Sequence, residues 1–226
     1  MRLVKGFALA LAGALLIPAL PAAQGQQDAD RKVAGGGVTA KGWQGKADAG
    51  NRQGLTVNDS KFANEGGGFR LTTGPAALYW NPANTMKGDY TVRATFTEAK
   101  QTYNHPHPFG VFIGGSGLDT DAPNALWCGA YRDGTFFVRQ FIAGKPNTLA
   151  KKNAHEKVVK AAGPDAEVKQ EVALAVRGDK VECMVNGASV WSAAKADLGG
   201  MSTDGIAGIR VSHNSDALVT NFSAGK

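Results

Sequence analysis

Apolar and polar residues alternate along most of the chain with a period of two. Tyr90, Val92, Ala94 and Phe96 alternate with Thr91, Arg93, Thr95 and Thr97. Phe109, Val111 and Ile113 form a second run, and Phe136 and Val138 a third against Phe137 and Arg139. Val172, Leu174 and Val176, then Val181, Cys183 and Val185, then Ile209 and Val211 follow the same rule. A period of two puts one set of side chains on a common face, which predicts strands with one face in a core. The pattern predicts a last strand near Ala217 to Phe222. Helical spacing is weak throughout, with room for one turn at Ala193 to Leu198.

Turn residues sit between these runs. Asp133-Gly134, Gly178-Asp179 and Asn186-Gly187 each separate two alternating segments. Such pairs tolerate the positive φ angles that tight hairpins need. About a dozen short strands in one uninterrupted stretch predict an all-β antiparallel sandwich.

The N-terminus departs from this pattern. Met1 to Lys5 is basic, Gly6 to Leu20 is apolar, and small residues follow up to Gly25. This is the plan of a secretory signal peptide, with cleavage expected after Ala23 or Gly25. The apolar run, about 15 residues, is shorter than a bilayer span. Residues 26–41 are polar, Gly-rich and aperiodic, which predicts a flexible leader. Residues 42–226 remain as one domain. The expected location is periplasmic or secreted, with no transmembrane segment in the mature chain.

Composition narrows the function classes. With 43% hydrophobic and 19% charged residues, the 226-residue chain is not a disordered one. Thirty glycines follow no three-residue period, so it is not collagen-like. Two cysteines are too few for a disulfide-dense miniprotein or a Cys₄ zinc module. Without residues 1–25, 23 basic side chains face 19 acidic ones, a net +4. The lysines are scattered, with one concentration at 145–160, and form no dense stripe for nucleic acid.

Three segments carry a resemblance. They are Gly88 to Phe96, Tyr131 to Phe136 across Asp133-Gly134, and Val185 to Trp191 across Asn186-Gly187 followed by Gly205-Ile206-Ala207-Gly208-Ile209-Arg210-Val211. Together, over roughly residues 55–224, the chain resembles the concanavalin A-like lectin/glucanase superfamily. Within it, the likeness is to LamG-like modules and bacterial 3-keto-disaccharide hydrolase domains. The resemblance implies a jelly-roll sandwich of two curved sheets, with a carbohydrate on the concave sheet or in the loops at one end. Two departures point away from hydrolysis. The Glu-x-Asp-x-x-Glu strand of the glucanases is missing, Glu167 and Glu171 being the nearest spacing. His107-Pro108-Phe109-Gly110-Val111 stands where an Asn-Ser-Gly segment is usual.

The candidate chemistry lies in four places. His105-Pro106-His107-Pro108 offers imidazoles to a transition metal, with His213 or Asp216 as a third ligand, or presents His107 and Tyr103 beside Asn104 to a sugar. Asp119 and Asp121, near Asn124, are spaced as calcium ligands in a loop, and the resemblance adds Asp216 as a structural calcium candidate. Trp127, Tyr131, Phe137 and Arg139 flank one hairpin, and parity places Arg210 and Ser212 on the same sheet face. They are either a stacking and hydrogen-bonding surface or ordinary packing under loops. Trp43, Trp80 and Trp191 read as packing residues. Cys128 and Cys183 both have inward parity, and are either two separate small core residues or, as export favours, a disulfide. No catalytic residue set emerges. The leading expectation is a carbohydrate-binding module without catalysis. A hydrolase or lyase acting on glycosides or 3-keto-sugars is the alternative, and an envelope-associated interaction or structural domain a third.

Overall fold

The computed structural model describes residues 29–51 and 53–226. The expected signal peptide and the first three residues of the expected leader lie outside this range. The strands in chain order are β1 (Gly37–Val38), β2 (Gln44–Ala47), β3 (Lys61–Glu65), β4 (Gly68–Thr72), β5 (Ala77–Met86), β6 (Tyr90–Glu98), β7 (Phe109–Ser116) and β8 (Asn124–Ala130). They continue with β9 (Thr135–Ile142), β10 (Lys145–Ala154), β11 (Val168–Arg177), β12 (Lys180–Val185), β13 (Ala188–Ala194), β14 (Gly205–Val211) and β15 (Asp216–Gly225). One of two 3-10 turns among the described residues, Lys195–Leu198, stands where one turn of helix is expected.

The strands form two sheets. One has the order β1-β3-β4-β15-β6-β11-β12-β13, the other β10-β9-β8-β7-β14-β5-β2. Apart from the parallel β1–β3 contact, neighbours are antiparallel. The inward set of each alternating run meets between the sheets: Val92, Phe96, Val111, Cys128, Phe136, Val138, Leu174, Cys183, Ile209 and Val211 share one core. The all-β sandwich expected from periodicity is therefore the fold. Several strands carried no period-two signal, the long β5 and β10 among them. β10 is an edge strand, exposed on both faces for most of its length, so its lysines and asparagines have no core to alternate against. β5 is buried at Ala77 to Trp80, where it is apolar on both faces, and exposed beyond.

The expected hairpins all form, by different means. Asn186 and Gly187 both have positive φ, 49° and 81°, as a type I′ turn requires. At Gly178-Asp179 only the glycine does. At Asp133-Gly134 only Gly134 is left-handed, because the Asp133 carboxylate accepts from the Thr135 amide at 3.2 Å and makes a side-chain turn of its own.

The expected flexible leader is instead docked from Ala29 onward. Asn214 donates to the Ala29 carbonyl and accepts from the Arg31 amide, the Val33 amide donates to Asp59, and β1 pairs with Lys61 and Phe62. Most of these contacts use the segment's backbone groups, so a Gly-rich, aperiodic sequence hides them.

Two covalent or charged features tie the layers together. Cys128 on β8 and Cys183 on β12 form a disulfide across the two sheets, with Cα atoms 5.6 Å apart. Glu98 ends β6 and meets Arg132 at 3.2 Å, both side chains at most 3% exposed. Arg132 also donates to the carbonyls of Gly163 and Ala166. Burial pushes the Glu98 carboxyl from 4.5 up to about 7, the Arg132 charge offsetting only part of it. Folded Glu98 thus keeps a proton that the unfolded chain has lost above about pH 4.5. Its contribution to stability is full below that pH and is lost as pH rises through about 7. Glu98→Gln is expected to flatten the decline of the urea midpoint between about pH 5 and 8 relative to the parent chain. Identical profiles for the two proteins would contradict this.

Candidate ligand-binding site

The outer face of the seven-stranded sheet, turned away from the inter-sheet core, carries a second buried cluster that includes Leu78, Trp80, Phe112, Trp127, Phe137 and Phe141. Register explains how so many rings fit. Across β8 and β9 large residues face small ones: Ala125 opposes Phe141, and Gly129 opposes Phe137. A Cβ on Gly129 would lie 2.3 Å from the Phe137 ring, so the ring lies down on a position that only glycine allows. One cross-strand row runs Leu78, Arg210, Gly110, Gly129, Phe137. Between Arg210 and Phe137 that row carries no side chains.

Both ends of this gap line a cavity of about 580 Å³. Trp127, Tyr131, Phe137 and Arg139 contribute from the β8–β9 hairpin, and Lys152 from a register shift in β10. The loop Asp48 to Asn51 forms one rim. Asn51 braces it, accepting from the Leu55 amide at 2.7 Å and donating to the Leu55 and Asp48 carbonyls. The His105-to-Pro108 loop, Asp30, Ser212 and His213 close the other side.

Charges in the wall are mostly paired. Arg210 grips Asp48 through two bonds of 2.7 and 2.5 Å, and its guanidinium sits 4.8 and 4.7 Å from the Trp127 and Phe141 rings. Lys152 meets Asp133 at 2.6 Å and lies over the Tyr131 ring. Burial, partly opposed by Arg139, raises the Tyr131 hydroxyl, so it remains a donor at neutral pH. His213 Nδ1 and Asp30 Oδ1 are 2.6 Å apart. The His105, His107 and His213 rings form a row with centroids 4.7 and 4.4 Å apart. Asp30 and Asp48 are the cavity's acids, and each already holds a cationic or imidazole partner.

Seven of the eight residues expected at a site line this one cavity: His107, Trp127, Tyr131, Phe137, Arg139, Arg210 and Ser212. Tyr103 does not. It packs edge-on against His105, 5.6 Å away, behind the loop. Three of the seven are placed differently from an open stacking surface. Trp127 and Phe137 are 3% and 4% exposed, in a T-shaped contact at 4.4 Å, so they form a floor with little free area. Arg210 is a wall strut whose bonds go to Asp48. The reason is that β8 and β9 are apolar on both faces, so loops must cover the outer one.

The calcium candidates do not converge. Asp216 is held by Arg70 at 3.0 Å and Thr72 at 3.1 Å, and exposed Asp121 pairs with Lys46 at 2.9 Å. Asp119 is exposed in the same loop as Asp121, on the seven-stranded side, whereas Asp216 opens β15 in the other sheet. Among the described residues no group of three metal-ligating side chains is arranged for an ion. Sequence reasoning missed Asp30, Asp48 and Asn51, and did not single out Lys152 among the scattered lysines. Only Asp48 had a signal, since an arginine buried on a strand, as Arg210 is, needs an acid.

No protein-family model and no curated protein matches the chain. Solved structures do. A carbohydrate binding module, CBM66, from Bacillus subtilis aligns with TM-score 0.59 at 14% identity, over 84% of this chain and 98% of that one. A Bacillus subtilis protein of unknown function with a galectin-like fold aligns with TM-score 0.55 at 14% identity, over 82% and 90%. With the two antiparallel sheets described above, these likenesses establish that the chain has the jelly-roll β-sandwich fold shared by galectin-like and concanavalin A-like domains.

Proposed function

We propose that this chain is an exported carbohydrate-binding module that holds its ligand, without cleaving it, in the cavity above the β8–β9 hairpin. The carrying observation is the chemistry of that wall. Ring edges from Trp127, Tyr131 and Phe137 stand beside hydrogen-bonding groups from Asn51, Arg139, Lys152 and Ser212. Such a mix suits the apolar faces and hydroxyls of a sugar. The 580 Å³ volume is of the size that takes a small ligand. Two acids line it, and both are engaged in pairs, so neither is placed as a general acid beside a separate nucleophile. The likeness to a carbohydrate-binding module supports the reading at the level of fold. The inter-sheet disulfide suits an oxidising compartment outside the cytoplasm.

A glycan array followed by titration calorimetry tests the proposal. Arg139→Ala is expected to weaken binding of a positive glycan at least tenfold and to move the melting temperature by no more than about 2 °C, because Arg139 is only partly buried and makes no salt bridge among the described residues. Unchanged affinity would remove Arg139 from the site. The enzyme reading has one observation on its side, the Asp30–His213 pair, in which a carboxylate orients an imidazole as in a general base. Prolonged incubation with the bound oligosaccharide, followed by chromatography, separates the two. New reducing ends or unsaturated products would make it an enzyme.

A further inference from the structure

We infer that the cavity selects a carboxylate-bearing sugar, a uronic acid unit, and that Arg139 is the group that receives the carboxylate. This deepens the carbohydrate reading and rests on it.

The argument starts from a charge balance within one cavity. Three permanent cations line it: Arg210, Lys152 and Arg139. Arg210 is neutralised by Asp48, and Lys152 by Asp133. Asp30, the other lining acid, faces His213. Arg139 alone has no carboxylate within ion-pair distance among the described residues. Its protein neighbours are the Phe137 ring, 5.5 Å from the guanidinium carbon, and Tyr131. Its Nε is buried and makes no hydrogen bond. The partly covered guanidinium therefore leaves one positive charge in the cavity that the wall does not balance.

Two further side-chain nitrogens of the wall have the same character. Trp127 Nε1 and Arg210 Nε are also buried without an acceptor. Indole and guanidinium nitrogens donate and cannot accept. A wall with surplus donors and one surplus positive charge is matched by a ligand with surplus acceptors and one negative charge. A carboxylate has that inventory, and a guanidinium binds it with two parallel bonds. A neutral hydroxyl both donates and accepts, and leaves the charge unmatched. The aromatic edges beside Arg139 serve the pyranose ring that carries the carboxylate. Phosphate and sulfate esters share the charge but are tetrahedral, and they enter the test as separate probes.

The test uses the mature protein and matched ligand pairs. Trigalacturonate, an oligomannuronate and a hyaluronan tetrasaccharide are each titrated calorimetrically beside their carboxyl-reduced, neutral counterparts. Sulfated and phosphorylated monosaccharides are run in parallel. At least one uronate is expected to bind ten times more tightly than its reduced form. Arg139→Gln should abolish that preference, weakening the uronate at least ten times more than its reduced form. Arg139→Lys should retain part of the preference, since the charge stays and the planar fork is lost. The parent preference should also weaken with added salt. Melting curves on both variants show whether they are folded. Should Arg139→Gln fail to fold, Arg139→Lys and the salt series carry the test. Equal binding of acidic and neutral forms overturns the inference and leaves the carbohydrate reading standing. So does a preference that survives in Arg139→Gln, or one confined to sulfate or phosphate. No binding by any acidic or neutral probe overturns both.

Discussion

Replacing Cys128 and Cys183 together by alanine is expected to lower stability by about 4 kcal/mol. The bridge spans 55 positions in the chain and links the two layers of the sandwich. On the chain-entropy model, a loop of that length removes about 4 kcal/mol of unfolded-state freedom. Both cysteines are fully buried in the inter-sheet core, beside Val111 and Val138 on one side and Val181 and Val185 on the other. Alanine leaves small voids there, which add to the loss. For a domain of this size the change corresponds to a melting temperature lower by about 8–16 °C. The decisive comparison is urea unfolding of three samples: oxidised parent, parent under dithiothreitol, and the double variant. The last two should unfold at nearly the same concentration, well below the first. A variant as stable as the oxidised parent would mean that the cross-link contributes nothing.

The second large effect is expected at Glu98. Glu98→Ala should cost about 3–5 kcal/mol, because it strands the Arg132 guanidinium, 2% exposed, without its carboxylate. An arginine does not shed its proton to escape burial. The carbonyls of Gly163 and Ala166 remain as its acceptors, and they are dipoles rather than charges. The double variant Glu98→Leu with Arg132→Met should recover at least half of the loss, since apolar side chains of similar bulk carry no desolvation cost. Equilibrium urea unfolding at pH 8, where the parent carboxyl is mostly ionised, measures both. A double variant no better than Glu98→Ala would show that Arg132 acts mainly through the loop carbonyls.

The cavity's strand residues and its His107 loop were legible in the sequence and the rest of its rims was not, for physical reasons. A period of two is a local constraint. Once Phe136 and Val138 are inward, Phe137 and Arg139 must share the opposite face, and the same parity separates Cys128 from Trp127 and Ile209 from Arg210. These positions followed from neighbours along the chain. Strand order brings β8, β9 and β14 close, and the turn residues that guide it are also local. The rims are different. Asp48 meets Arg210 across 162 positions, and Asp30 meets His213 across 183. Neither acid lies in a patterned segment, and nothing near it in the chain announces its partner. Burial of Trp127 and Phe137 was ambiguous for the same reason, since the loops that cover the outer face come from distant parts of the chain.

The docked segment ahead of β1 has a consequence for how long the cavity lasts. Ala29, Asp30 and Arg31 attach to Asn214, His213 and Thr73, and Asp30 is part of the cavity wall. Cleavage at the site expected from the sequence, before Gln24 or Gln26, would retain this wall. An aminopeptidase that stopped at Gly35 would leave all fifteen strands and the disulfide in place, yet strip Asp30 from His213 and open one side of the cavity. Exopeptidase trimming would then change recognition while circular dichroism and melting stayed nearly constant. Such a module would age from its open end, losing selectivity long before it lost its fold.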